Sequence, residues 1–334
     1  VNAGEKVVDW LYREQLQVSE QWSVRSERGF TWWADQNAQT VEVIGEDPGP
    51  DGRPGYLVGV RTEMLYDLDL TDAALAEIND GPMRFAALAG PVYDAATRTL
   101  SICSLARVND EIADWTGAVL GAAAVTQLAE AHMLSPALAE SLGAQAAVSG
   151  HPGSGVRTAP DDMLFAPRAF IQEGKAPCQW PASEFTEAVA EFMRKPPAVK
   201  ASAAGQALTV QFPYGAKTSL CQMLGAQSHP LYGNGILLLQ RFPFTASSPA
   251  KGVELALTLN AAELTGNVTG YGFGSYTYDQ DMLCFAGFVP NALHRQVALP
   301  NLYFAAAARA HAMSVWLLDE EWGDDSFTRN HTEA

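Results

Sequence analysis

Apolar positions along this chain change their period several times, and those changes divide it into short elements. Val7, Val8, Leu11 and Tyr12 recur at helical spacing among Glu, Lys, Asp and Arg, which predicts an opening helix. "GFTWWADQNAQTVEVIG" alternates around a polar turn at Asp35, Gln36 and Asn37, which predicts two short strands. After the breaker "EDPGPDGRPG", a third strand "YLVGVRTEMLY" puts Tyr56, Val58, Val60, Met64 and Tyr66 on one face. Gly59, Arg61 and Glu63 fall on the other. "LTDAALAEIND" reads as a short helix, with Thr71 as N-cap and Gly81-Pro82 as its stop. A hairpin over "MRFAALAGPVYDAATRTLSICSLARV" turns at Asp94 to Arg98, and a helix from about Glu111 to Met133 closes the unit.

The second half repeats this order. "SEFTEAVAEFMRK" is a helix with Ser183 as a candidate N-cap, stopped by Pro196-Pro197. "QALTVQFPYGAKTSLCQML" is a hairpin across Pro213-Tyr214-Gly215, and "GILLLQRFPF" is the third strand. "AKGVELALTLNAAEL" is the middle helix, and "GYGFGSYTYDQDMLCFAGFV" is a hairpin turning at Asp279 to Asp281. "LPNLYFAAAARAHAMSVWLL" closes the unit, with Pro300 at a tolerated helix start. Tyr93-Asp94 aligns with Tyr278-Asp279, Leu100 with Leu283 and His132 with His311. The expectation is an α+β protein of two tandem α-β-β-β-α-β-β-α domains, antiparallel sheets packed by helices, forming a pseudo-dimer.

The boundaries that follow are a first domain at 1–142, a linker at 143–181, a second domain at 182–322 and a polar tail at 323–334. The linker is rich in Gly, Pro, Ala and Ser and is expected to be extended or partly disordered. Its island "MLFAPRAFI" carries enough apolar side chains to pack on a domain surface.

Composition narrows the partners. A length of 334 residues suits two domains, and 48% hydrophobic with 18% charged residues is globular rather than disordered. The formal net charge is −17, from 38 acidic against 21 basic residues, which argues against nucleic acid and membrane surfaces as partners. It suits solubility, or an electrostatic match to a basic polypeptide. No apolar run approaches the roughly 18 residues of a membrane helix. Cys103, Cys178, Cys221 and Cys284 stand alone, as buried free thiols of a reducing compartment do, so the cytoplasm is the expected location.

Candidate chemistry is sparse. His132, His151, His229, His294, His311 and His331 form no metal-binding spacing. His132 and His311 read as residues near helix C-termini, favoured there by the helix dipole. "GYGFGS" leads into a strand rather than a helix, so its glycines point to close backbone packing and not to a phosphate loop. Asp67, Asp69 and Asp72 lack the further oxygens of a calcium loop. "LLDEEWGDDS" reads as a solvated acidic tail. No catalytic, cofactor-binding or metal residue is assigned, and no cofactor is expected.

The aromatic and aliphatic strands say more. With Phe30 and Trp32 facing the core beside Val41 and Val43, Trp33 faces outward. "GILLLQRF" is apolar on both faces, with Ile236, Leu238 and Phe242 on one and Leu237 and Leu239 on the other. Trp33, Leu57, Leu237 and Leu239 are therefore the candidate partner-binding residues, and the outer sheet face is covered by the other half, the linker or a partner.

The element order resembles the type III secretion chaperone-like fold, which includes the YbjN-like bacterial proteins. The resemblance spans both halves and rests on order, not on a short motif. It implies a non-enzymatic chaperone or adaptor that binds a polypeptide client, here as a monomer whose fused halves mimic a dimer. The competing readings are a hydrolase with a dispersed site in the cleft between the halves, drawing on His132, His311, Asp94 and Asp279, and a structural subunit of a larger assembly.

Overall fold

Two antiparallel sheets, each with a long helix on its inner face, form the framework of the computed structural model, which describes residues 1–48, 52–169, 199–201, 207–229, 231–266, 271–295 and 298–318. The opening helix α1 (Ala3–Trp10) starts on a capping box: Asn2 accepts from the Glu5 amide, and Glu5 reaches back to the Asn2 amide. The first sheet orders β1 (Ser23–Arg25), β2 (Gly29–Trp32), β3 (Gln39–Glu46), β4 (Tyr56–Tyr66) and β6 (Thr99–Val108), with β5 (Gly90–Asp94) on the far side of β6. Between β4 and β5 lies α2 (Asp72–Ile78), capped by Thr71 Oγ1 on the Ala74 amide as the sequence predicts. The helix does not stop at Gly81-Pro82. It widens into a turn over Asn79–Met83, where the Arg84 amide bonds the Asn79 carbonyl, so the missing Pro82 donor does no harm.

The long helix α3 (Ala113–Leu142) lies across β4 and β6. It runs past the expected end at Met133, through Pro136, to a left-handed Gly143 at φ 65°. The two-residue strand β7 (Gln145–Ala146) then returns to β4. In the second sheet the order is β8 (Val199–Ala201), β9 (Ala207–Tyr214), β10 (Lys217–His229), β11 (Gly233–Phe242), β14 (Met282–Pro290) and β13 (Ser275–Asp279). Helix α4 (Pro249–Thr265) connects β11 to the last hairpin, and α5 (Ala298–Leu318) covers β9 and β11. The expected helix at "SEFTEAVAEFMRK" and the polar tail lie outside the described residues.

The shared strands of the two sheets have the same neighbours: β2-β3-β4-β6-β5 in one, β9-β10-β11-β14-β13 in the other. Tyr93 pairs with Leu100, and Tyr278 with Leu283. The fold is therefore α+β with two antiparallel sheets, as expected.

The halves exchange backbone. A further short strand, β12 (Tyr271–Gly272), belongs to the second half in sequence but pairs with Ala106 and Leu105 of β6 in the first sheet. In return, the Phe288 amide of β14 donates to the Ala87 carbonyl at 3.0 Å. Gly272 lies three residues before Ser275, which pairs with Ala286, and Ala87 lies three before Gly90, which pairs with Cys103. The segment leading into each outer strand thus crosses to the other sheet at the matching place. Gly274 makes the crossing possible: it sits at φ 146°, and a Cβ there would lie 2.3 Å from the Ala286 carbonyl. Gly272 and Gly274 of "GYGFGS" therefore serve close backbone packing.

The core is continuous through the halves, with Trp115 of α3 edge-on to Tyr271 at 5.0 Å. Asn79 closes the free edge of β13: its side-chain amide donates to the Tyr278 carbonyl, and its carbonyl oxygen accepts from the Tyr278 amide and the Thr277 hydroxyl. Asn260 of α4 holds Tyr276 in the same way. A strand edge without a neighbouring strand is thereby satisfied by side chains.

Residues 143–169, expected as linker, are ordered against the first half. The Ala147 amide bonds the Met64 carbonyl, Ser149 bonds Gln36, and Asp161 bonds Ala34. Among the described residues no helix is long and apolar enough to cross a membrane.

Candidate functional site

A groove of about 360 Å³ opens where α3, the 162–168 segment and the β10–β11 turn converge. Helical spacing brings Ala129, His132 and Met133 of α3 to one wall. Leu164, Phe165, Pro167 and Arg168 form the second wall, and Leu231 with Tyr232 the third. Met133 and Phe165 remain 48% and 41% exposed, while Leu164 is buried. The surface is thus mostly apolar and open to solvent.

Local chemistry fixes the second wall. Asp161 Oδ1 accepts from the Met163 amide and starts the short turn at 162–165. Arg157 clamps it in place, bonding Asp161 Oδ2 at 3.0 Å and the Trp33 carbonyl at 2.8 Å. The third wall depends on His229. Its Nδ1 accepts from the Leu231 amide and its Nε2–H donates to the Phe85 carbonyl of the first half, which fixes the neutral tautomer. Burial pulls its pKa below the ordinary value, and its ring stacks on Tyr232 at 4.7 Å. The Tyr232 hydroxyl donates to Glu130 Oε1 at 2.5 Å. Burial pushes the Glu130 carboxyl up to about 7 against that hydrogen bond.

At the groove rim His132 Nδ1 lies 2.7 Å from Asp35 Oδ2, and Nδ1–H is the donor when the carboxylate is ionised. The sequence reading gave His132 no such partner. Asp35 comes from the β2–β3 turn, and only folding brings it beside α3. Among the described residues no Ser, Thr or Cys side chain lines the groove.

The four expected partner-binding residues need correction in part. Trp33 is not an open surface: it is 7% exposed, donates from Nε1 to Ser149, and meets the His151 ring edge-on at 5.4 Å. Its outer face is covered by the chain's own 149–157 segment, which is where the apolar area went. Leu57 is also buried. Leu237 is partly buried and packs on the cluster of Ala87, Tyr232 and Phe288, to which the first half contributes Ala87. Leu239 is partly buried on β11. None of the four lines the groove.

Nor do the suspected catalytic residues converge. Asp94 caps its own hairpin turn through the Ala96 amide and the Thr97 hydroxyl. Asp279 is ion-paired with Arg84, and exposed His311 stands on α5. Asp69 pairs with Arg98, and Asp67 accepts from Gln145. Among the described residues no cluster of metal-ligating side chains occurs. Cys103, Cys221 and Cys284 are buried free thiols, and burial pushes them up to about 12, 12 and 11, away from reactivity; Cys178 lies outside the described residues.

The second half also contains a buried ion pair. Arg309 and Glu263 meet at 2.6 Å, Tyr276 donates to the same carboxylate, and the guanidinium covers the Phe285 ring at 3.6 Å. Both side chains are buried. No protein-family model, curated protein or solved structure matches the chain.

Proposed function

We propose that the chain is a non-enzymatic polypeptide-binding module, a chaperone or adaptor for a secreted or assembling client. On this reading it consists of two diverged copies of one unit, joined as an intramolecular pseudo-dimer. The observation that carries the binding function is the apolar groove built by both halves, with Met133 and Phe165 left open to solvent. The common strand order and the reciprocal crossings, Gly272 on Leu105 and Ala87 on Phe288, support the pseudo-dimer, since a two-fold contact repeats each interaction in reverse. Fusing the copies makes their docking intramolecular, which raises its effective concentration. The buried free thiols support a cytoplasmic setting.

The test places a photo-crosslinking amino acid at Met133 and, as a control, at exposed Val24. The supporting result is one discrete polypeptide captured at 133 and not at 24, which then binds the purified chain and loses affinity with Leu231→Asp. Capture of no polypeptide at 133 would sink the reading. The His132–Asp35 pair favours a second reading, a hydrolase using His132 as general base. Turnover of a model ester that is abolished by His132→Gln would select it.

A further inference from the structure

Arg168 stands apart in the charge pattern of this molecule. Among the described residues it is the one arginine with neither an ion pair nor a hydrogen bond; its guanidinium lies over the Phe165 ring at 4.7 Å. Elsewhere the arginines are engaged: Arg13 and Arg25 hold Asp9, Arg84 holds Asp279, and Arg157 holds Asp161. The chain has 38 acidic side chains and a net charge of −17, yet among the described residues no acid pairs with Arg168. A larger groove of about 630 Å³ beside α1 is different, because its side-chain cations are engaged: Lys6, Arg13 and Arg25 are ion-paired and Arg28 donates to the Ile44 carbonyl.

His132 adds a second open valence on the same rim. Asp35 engages Nδ1, and Nε2 has no partner among the described residues. In the imidazolium form Nε2 is a donor, and the Asp35 carboxylate compensates the ring's charge. Between these polar groups the floor is apolar: Ala129, Met133, Leu164, Leu231 and the Tyr232 ring. The arrangement complements an anion with an apolar group attached. A volume of about 360 Å³ is at the small end of ligand sites, which span about 300–1,000 Å³. That favours a chain end over a long alkyl tail.

Resting on the polypeptide-binding reading, we propose that this groove takes the C-terminus of a client whose last side chain is apolar. The terminal carboxylate sits on the Arg168 guanidinium with His132 Nε2 as the second polar contact, and the side chain packs on the apolar floor. Arginine suits the role because its planar fork meets a carboxylate with two parallel hydrogen bonds.

The experiment is binding by calorimetry of acetyl-Ala-Ala-Leu-Leu as free acid, the same peptide as C-terminal amide, and sodium decanoate. The free acid is expected to bind at least tenfold more tightly than the amide, since a charge-assisted hydrogen bond contributes on that order. Arg168→Gln, an exposed substitution, is expected to bring the acid down to the level of the amide. Equal binding of acid and amide, an unchanged affinity in Arg168→Gln, or binding of neither peptide would overturn the proposal. Binding of decanoate alone would also overturn it and assign the groove to a lipid-like acid. Should Met133 still capture a polypeptide whose affinity is unaffected by C-terminal amidation, the carboxylate assignment fails while the polypeptide reading stands.

Discussion

Asn79 offers the sharpest test of how the halves are joined. It is a buried side chain at the end of α2 whose amide replaces a missing neighbour strand along β13. Its Nδ2 donates to the Tyr278 carbonyl at 2.9 Å, and its Oδ1 accepts from the Tyr278 amide at 3.0 Å and the Thr277 hydroxyl at 2.8 Å. Asn79→Ala removes all three bonds. The Thr277 hydroxyl can rotate to another partner, but the Tyr278 amide and carbonyl cannot. Two orphaned buried backbone groups at about 1–3 kcal/mol each put the loss at about 2–6 kcal/mol. Asn79→Leu fills the space without restoring the bonds, so it is expected to lose nearly as much, which separates hydrogen bonding from packing. The assay is urea unfolding followed by tryptophan fluorescence, with amide hydrogen exchange at Tyr278 as the local readout. A loss below about 1 kcal/mol in Asn79→Ala, or an unchanged exchange rate at Tyr278, would refute the reasoning.

Three further outcomes are expected. Arg309→Met, which leaves the Glu263 carboxylate buried and unpaired, should cost about 3–5 kcal/mol in urea unfolding, and Glu263→Gln combined with Arg309→Met should recover most of it; a double variant as weak as the single one would contradict this. Trp33→Ala should cost about 3 kcal/mol and expose residues 149–161 to limited proteolysis, because Trp33 is held under that segment; an unchanged cleavage pattern would show that the segment is anchored elsewhere. The pH dependence has two signs. Glu130 is raised, so its contribution is intact below the ordinary carboxylate value and stability falls as pH rises toward and through about 7; Glu130→Gln should flatten that alkaline limb. His229 is lowered, so its contribution is intact above the ordinary imidazole value and is lost as pH falls below it; His229→Gln should flatten the acid limb of the urea midpoint against pH.

The element order was legible because short-range patterns carry it. Alternation gave the strands, and Tyr93-Asp94 and Tyr278-Asp279 marked two hairpins whose cross-strand partners are indeed Leu100 and Leu283. Boundaries were less legible. Pro136 and Gly81-Pro82 look like helix stops, yet α3 runs through the first and a widened turn absorbs the second. The groove was not legible. In the sequence His132 is a residue near a helix C-terminus and one of four dispersed suspects, and its partner Asp35 is 97 residues away. Arg168 and Tyr232 carried no pattern at all.

The sequence by itself determined which segments are strands and helices, the α+β class, and the buried state of residues such as Phe30, Trp32, Ile236 and Phe242. Those follow from periodicity and transfer free energy, which act residue by residue. Only the tertiary structure decided that residues 149–157 cover Trp33 and that Leu237 packs on a cluster to which the first half contributes Ala87. It also decided that β12 pairs with the other sheet, and that His132, Arg168 and Tyr232 share one groove. Such choices depend on backbone groups and side chains separated by scores of residues, each satisfied by whichever partner the completed packing brings within hydrogen-bond reach.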